Sequence, residues 1–190
     1  MKKLLLLLAL CGGTAAQAQY WQQAVEYTMD IDLDVENHTY EGTSTVVYTN
    51  NSPDTLRNAY FHLYFNAFQP GSMMDVRSLN IKDPDRRVKD RISKLGPGEV
   101  GYQHITSLQQ QGLPVPFTVQ GTVLKAELAE PLMPGKKTTF NIVWDAQVPK
   151  QIRRSGRDNK EGVEFTMTQW YPKLAEYDQD GWHADQYVGR

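Results

Sequence analysis

Val25-Glu26-Tyr27-Thr28-Met29-Asp30-Ile31-Asp32-Leu33-Asp34-Val35 alternates apolar and polar residues over its whole length. A period of two is the signature of a β-strand with one face packed and one face wet. It puts Val25, Tyr27, Met29, Ile31, Leu33 and Val35 inward and the carboxylates of Glu26, Asp30, Asp32 and Asp34 outward. Glu36-Asn37-His38 reads as a turn. Thr39 to Asn50 is a second β-rich run, and the pair predicts a long hairpin. Asn50-Asn51-Ser52-Pro53-Asp54 is turn chemistry again.

Working outward, Arg57 to Phe65 predicts a third strand. The pattern loosens from Asn66 to Pro116, which reads as long connections with one short strand near Gln103 to Leu108. Order returns with a hairpin around Gly121, from Phe117–Gln120 and Val123–Leu128. Thr138 to Ala146 alternates cleanly, with Phe140, Ile142 and Trp144 on one face. Lys150 to Lys160 reads as a polar, basic loop, and Val163 to Trp170 as a final strand. No stretch after the N-terminal segment shows a helical stripe. Many strands separated by turns predict an all-β domain, an antiparallel sandwich or saddle of twisted sheets.

The first residues read as an address. Lys2 and Lys3 precede an apolar run, Leu4 to Leu10, and Ala16-Gln17-Ala18 is a small-x-small cleavage site. Residues 1–18 are therefore expected to be a signal peptide, and residues 19–190 the mature domain, exported to the periplasm or beyond. A lipid anchor at Cys11 is the rival reading of the same stretch; Leu10 stands where that motif wants a small residue. Cys11 is the only cysteine, so a mature chain would have no disulfide. The run is too short to span a bilayer, which needs about 20 residues. Formal net charge is −2, and losing Lys2 and Lys3 takes two positive charges from it and leaves −4. That balance argues against a nucleic-acid binder.

Chemistry-bearing motifs are sparse. His38, His62, His104 and His183 lack the spacing of an H-E-x-x-H zinc helix, and no G-x-S-x-G elbow or phosphate loop is present. Asp30, Asp32 and Asp34 read as the wet face of a strand, in preference to a calcium-binding edge. The arginines at 86, 87, 91, 153, 154 and 157 read as solvated loops. The most unusual stretch is Phe165-Thr166-Met167-Thr168-Gln169-Trp170-Tyr171-Pro172-Lys173. Large aromatics and a proline at a strand end make either a plugged edge or a binding wall.

Taken with Tyr60-Phe61-His62-Leu63-Tyr64-Phe65-Asn66, Trp144-Asp145, Tyr177-Asp178 and Gly181-Trp182-His183, that stretch resembles the N-terminal domain of the aminopeptidase N family of zinc metallopeptidases, in its Bacteroidetes-type branch. The resemblance covers essentially the whole expected mature chain. It implies a saddle-like β-domain packed on a thermolysin-like domain. That second domain carries H-E-x-x-H, a distant glutamate as third zinc ligand, and a G-x-M-E-N loop. Such enzymes remove residues from peptide N-termini, and a glutamine of the first domain lines the specificity pocket. By motif match that residue is Gln169, with Trp170 and Tyr171 shaping its wall.

This sequence contains neither H-E-x-x-H nor G-x-M-E-N. Where many relatives place an amine-binding glutamate two residues after the glutamine, it has Tyr171. The resemblance thus predicts a non-catalytic piece of a zinc metalloaminopeptidase. It would bind no metal itself, be inactive alone, and have a downstream catalytic domain and a peptide substrate as partners. The competing expectation is a stand-alone secreted β-sandwich that binds glycan or protein.

Overall fold

In a computed structural model, residues 20–189 are described. The expected signal peptide and Cys11 lie outside them. The early hairpin is present: β1 (Ala24–Asp34) pairs antiparallel with β2 (Thr39–Thr49). The chain continues through β3 (Leu56–His62), α1 (Met73–Asn80), β4 (Tyr102–Gln110), β5 (Leu113–Pro114), β6 (Phe117–Gln120), β7 (Val123–Leu132) and β8 (Lys137–Gln147). Five two-residue strands follow: β9 (Gly156–Arg157), β10 (Phe165–Thr166), β11 (Lys173–Leu174), β12 (Tyr177–Asp178) and β13 (Gly181–Trp182).

One sheet runs β1-β2-β8-β4-β5 and the other β11-β3-β7-β6, with two small hairpins beside them. The architecture is therefore mostly β, with antiparallel sheets face to face. Register explains the core. Tyr40, Val46 and Tyr48 of β2 share a face with Phe140, Ile142 and Trp144 of β8, and all are buried. Phe61, Leu124 and Ala126 of the second sheet meet them, with Phe61 and Phe140 edge to face at 5.6 Å. Each such aromatic or aliphatic side chain contributes about 1.5–3 kcal/mol by leaving water.

Trp144 needs a glycine opposite. Gly42 is its register partner, and a Cβ there would sit 2.2 Å from the indole Cζ2.

Three expectations need correction. The β1 parity holds, but its inward face is only half covered: Val25, Leu33 and Val35 are 41%, 39% and 45% exposed. β1 is the edge of its sheet, and only its middle, Tyr27, Met29 and Ile31, packs against the core.

The loose stretch 66–116 contains a helix. Ser72 caps α1, its Oγ accepting from the Asp75 N–H at 3.2 Å while donating to the Ala67 carbonyl at 2.6 Å. A hydroxyl at this position satisfies an otherwise unpaired helix N–H. The buried residues of α1 are Met74, Asp75 and Ser78, whereas Met73, Val76 and Leu79 face out. That inversion hid the helix from a search for an inward apolar stripe.

The expected strand 163–170 is mostly irregular. Only Phe165–Thr166 pairs, against β9 inside the supposed polar loop, and Gln169 turns the chain at φ 55°. A left-handed residue cannot continue a strand.

Candidate functional site

The segment that carries the family resemblance is held from three sides. Ser155 is buried; its hydroxyl accepts from the Thr168 N–H at 3.2 Å and donates toward the Thr166 and Thr168 carbonyls at 3.3 and 3.2 Å. Next in sequence, Gln169 takes the left-handed conformation and leaves its side chain exposed. The chain then dives inward at Trp170. Its carbonyl accepts from Gln103 Nε2 at 2.6 Å and from the Tyr40 hydroxyl. Gln103 is 1% exposed, and its Oε1 accepts from the Phe65 N–H at 3.3 Å. A buried amide paired at both ends is a rigid strut, because each unpaired atom would cost its full desolvation.

Aromatic packing completes the brace. Trp170 meets Tyr40 edge to face at 5.9 Å, and Tyr171 meets both Trp170 and Tyr27 at 5.3 Å. The Tyr27 hydroxyl accepts from the Leu174 N–H at 2.9 Å. Burial pushes the Tyr27 phenol up to about 12 and raises that of Tyr40 further still, so both remain protonated at neutral pH. Pro172 is buried, and β11 then pairs with β3.

Of the three residues expected to line a pocket, Gln169 is presented to solvent, while Trp170 and Tyr171 are half-buried struts beneath it. Among the described residues the Gln169 side chain has no hydrogen-bond partner. Its amide can therefore offer an acceptor oxygen and two donor hydrogens outward. A non-glycine residue held at positive φ is uncommon outside sites where the surrounding structure fixes it.

Sequence reasoning missed Gln103, Tyr40 and Ser155. A polar residue at an inward position of a strand was the available signal for Gln103; the contact with Trp170 spans 67 residues and leaves no local pattern.

Several polar residues proved structural. Arg153 Nε lies 3.0 Å from Asp85, and its Nη1 donates to the Tyr187 hydroxyl at 3.1 Å, so this arginine is not a solvated loop residue. Hydrogen bonds from Arg87, then from Arg153, hold the Asp85 carboxyl well below the usual carboxylate range. His62 Nε2 is 3.0 Å from the His183 carbonyl, and burial pushes its pKa down. A carbonyl can only accept, so Nε2 carries the proton. His104 lies in β4, facing Asp145 at 3.3 Å, and His183 faces Asp178 at 2.7 Å.

These are pairs. Among the described residues no three His, Cys, Asp or Glu side chains converge where one metal ion could sit. The described residues do not supply a zinc site.

No known family's sequence signature matches this chain, and no curated protein matches it. Solved structures do. A mutant of a two-domain M1 zinc metallopeptidase bound to L-tryptophan is 12% identical over 78% of this chain and 27% of its own, with a TM-score of 0.46. The same values of identity, coverage of this chain and TM-score hold for an M1 zinc metallopeptidase from Deinococcus radiodurans, of which 26% is covered. The chain spans about a quarter of the length of these structures. A likeness this distant assigns no residue a role.

One further concavity lies nearby. A cleft of about 620 Å³ is lined by Trp21, Tyr48, Tyr64 and Tyr177, with His62 and Lys173 among its polar groups. Among the described residues no helix is long and apolar enough to cross a membrane.

Proposed function

We propose that residues 19–190 form the N-terminal, non-catalytic domain of an exported zinc metalloaminopeptidase. In that role the domain packs beside a thermolysin-like domain and contributes Gln169 to the pocket for the first side chain of a peptide. The observation that carries this reading is the brace under Gln169. Three buried side chains, Tyr40, Gln103 and Ser155, fix the backbone on either side of one exposed amide. The Thr168-Gln169-Trp170-Tyr171-Pro172-Lys173 motif supplies the family assignment, and Lys2 to Ala18 supplies the export.

In this reading the chain's own contribution is positional. Gln169 orients substrate by hydrogen bonding, and Trp170 and Tyr171 keep it from moving. Tyr171 holds no fixed negative charge, so recognition of the peptide's ammonium falls to the catalytic domain.

The test uses the gene product read through from codon 1 to its natural stop. Its hydrolysis of aminoacyl-p-nitroanilides should be abolished by a chelator. Q169A should raise KM about tenfold with a smaller effect on kcat, the signature of a lost binding contact. An unchanged KM would remove Gln169 from the pocket. Absence of any chelator-sensitive aminopeptidase activity would remove the reading altogether.

The aromatic cleft favours a second reading, a glycan- or protein-binding module. Aromatic walls with a few polar groups, at a volume within the usual ligand range, are what such sites present. Calorimetric titration with oligosaccharides tests it, and equal heats for wild type and W21A would rule the cleft out.

A further inference from the structure

The outermost strands of the two main sheets differ in length. β5 and β11 have two residues each and β6 has four, whereas β1 runs for 11. Natural sheets blunt their edges by shortness, because a long edge offers a row of unpaired N–H and C=O groups to any extended chain. Among the described residues β1 pairs with β2 alone, over its full length.

The two flanks of this edge differ. On one, Val25 and Leu33 are 41% and 39% exposed, with Tyr27, Met29 and Ile31 half-buried between them. On the other stand Glu26, Asp30, Asp32 and Asp34. Their cross-strand neighbours on β2 do not neutralise them: Asp32 lies directly opposite Glu41, and Asp30 opposite Thr43. Like charges directly opposite in a sheet repel. The acidic flank opens onto a shallow trough of about 1060 Å³ whose lining includes Asp30, Asp32, Asp34, Glu41 and Asp145 and no lysine or arginine.

We propose that the β1 edge takes up an added strand from a protein partner in which lysine or arginine alternates with apolar residues. The partner's backbone fills the unpaired groups of β1. Its basic side chains fall beside Asp30, Asp32 and Asp34, relieving the Asp32–Glu41 repulsion, and its apolar side chains cover Val25, Ile31 and Leu33. Strand addition of this kind draws affinity from the main chain and specificity from alternate side chains. A second copy of this chain is excluded as occupant. A two-fold β1–β1 pairing would bring two acidic flanks onto one face of the joined sheet. The inference does not depend on the aminopeptidase reading.

The probe is a synthetic peptide repeating Lys-Val over the length of β1, titrated into the full chain. Its control has the same composition in two blocks. The repeat should bind at least about tenfold more tightly than the block peptide, and it should slow hydrogen exchange at alternate amides of residues 24–34. D30K/D32K should lose about tenfold in affinity for it and gain affinity for a Glu-Val repeat. If that variant fails to melt cooperatively, E26K near the other end of the strand serves, with the same direction expected. Equal binding of the two Lys-Val peptides, protection away from β1, or no binding at all would each overturn the proposal.

Discussion

Gly42 and Trp144 show how one missing carbon shapes the molecule. Their backbones are paired, and the indole occupies the space a Cβ would need. Neither can be read alone: Gly42 interrupts an otherwise β-prone run, and only the register of β2 against β8 reveals why. Gly42→Ala should lower stability by about 1–3 kcal/mol, an overpacking cost, in urea melts of the purified chain. A loss under about 0.5 kcal/mol would mean the indole can move aside. Asp85 predicts a pH effect. Its folded pKa is depressed, so as pH falls the unfolded chain takes up the proton first. Its contribution is full above the ordinary aspartate value of about 4 and is lost as pH falls from there toward the folded value. Asp85→Asn should therefore be less stable than wild type at neutral pH, with the gap narrowing as urea midpoints are taken at about pH 3.

At the scale of elements, what the sequence disclosed was what is local. The hairpin of β1 and β2 follows the alternation almost residue for residue, and β8 shows Phe140, Ile142 and Trp144 on one face as its pattern requires. The helix did not show, because two turns that bury Asp75 and Ser78 violate the rule by which helices are found. The segment 163–170 misled for the opposite reason. Its composition is that of a strand, but Ser155, Gln103 and Tyr40, all distant in sequence, hold its backbone instead. Those same contacts predict that Gln103→Leu costs about 1–3 kcal/mol by orphaning the Phe65 N–H and leaving the Trp170 carbonyl with the Tyr40 hydroxyl alone. Hydrogen exchange should rise at residues 168–171 more than in β2 or β8. Uniform exchange would deny Gln103 its role as a strut.

Across the whole molecule, exposed apolar side chains gather most closely on α1 and along β1. Met73, Val76 and Leu79 project from α1 at 56%, 50% and 51% exposure, and Val25, Leu33 and Val35 flank β1. Clustered apolar exposure marks contact surfaces or a tendency to associate. The purified chain should therefore elute from a sizing column at a volume that shifts with concentration. V76K/L79Q should reduce that shift while moving stability by no more than about 0.5 kcal/mol, since neither side chain is buried. An unchanged elution profile would show that α1 takes no part in association.

The ties between the first hairpin and residues 170–174 have a kinetic meaning as well. Tyr27 receives the amide of Leu174 across 147 residues, and Tyr40 reaches the Trp170 carbonyl across 130. On a translating ribosome the first hairpin emerges early, yet these two partners are made well over a hundred residues later. The nascent polypeptide must wait, its opening strands unsealed, until residues 170–174 have left the exit tunnel; whatever accompanies it meanwhile has to guard an incomplete sheet.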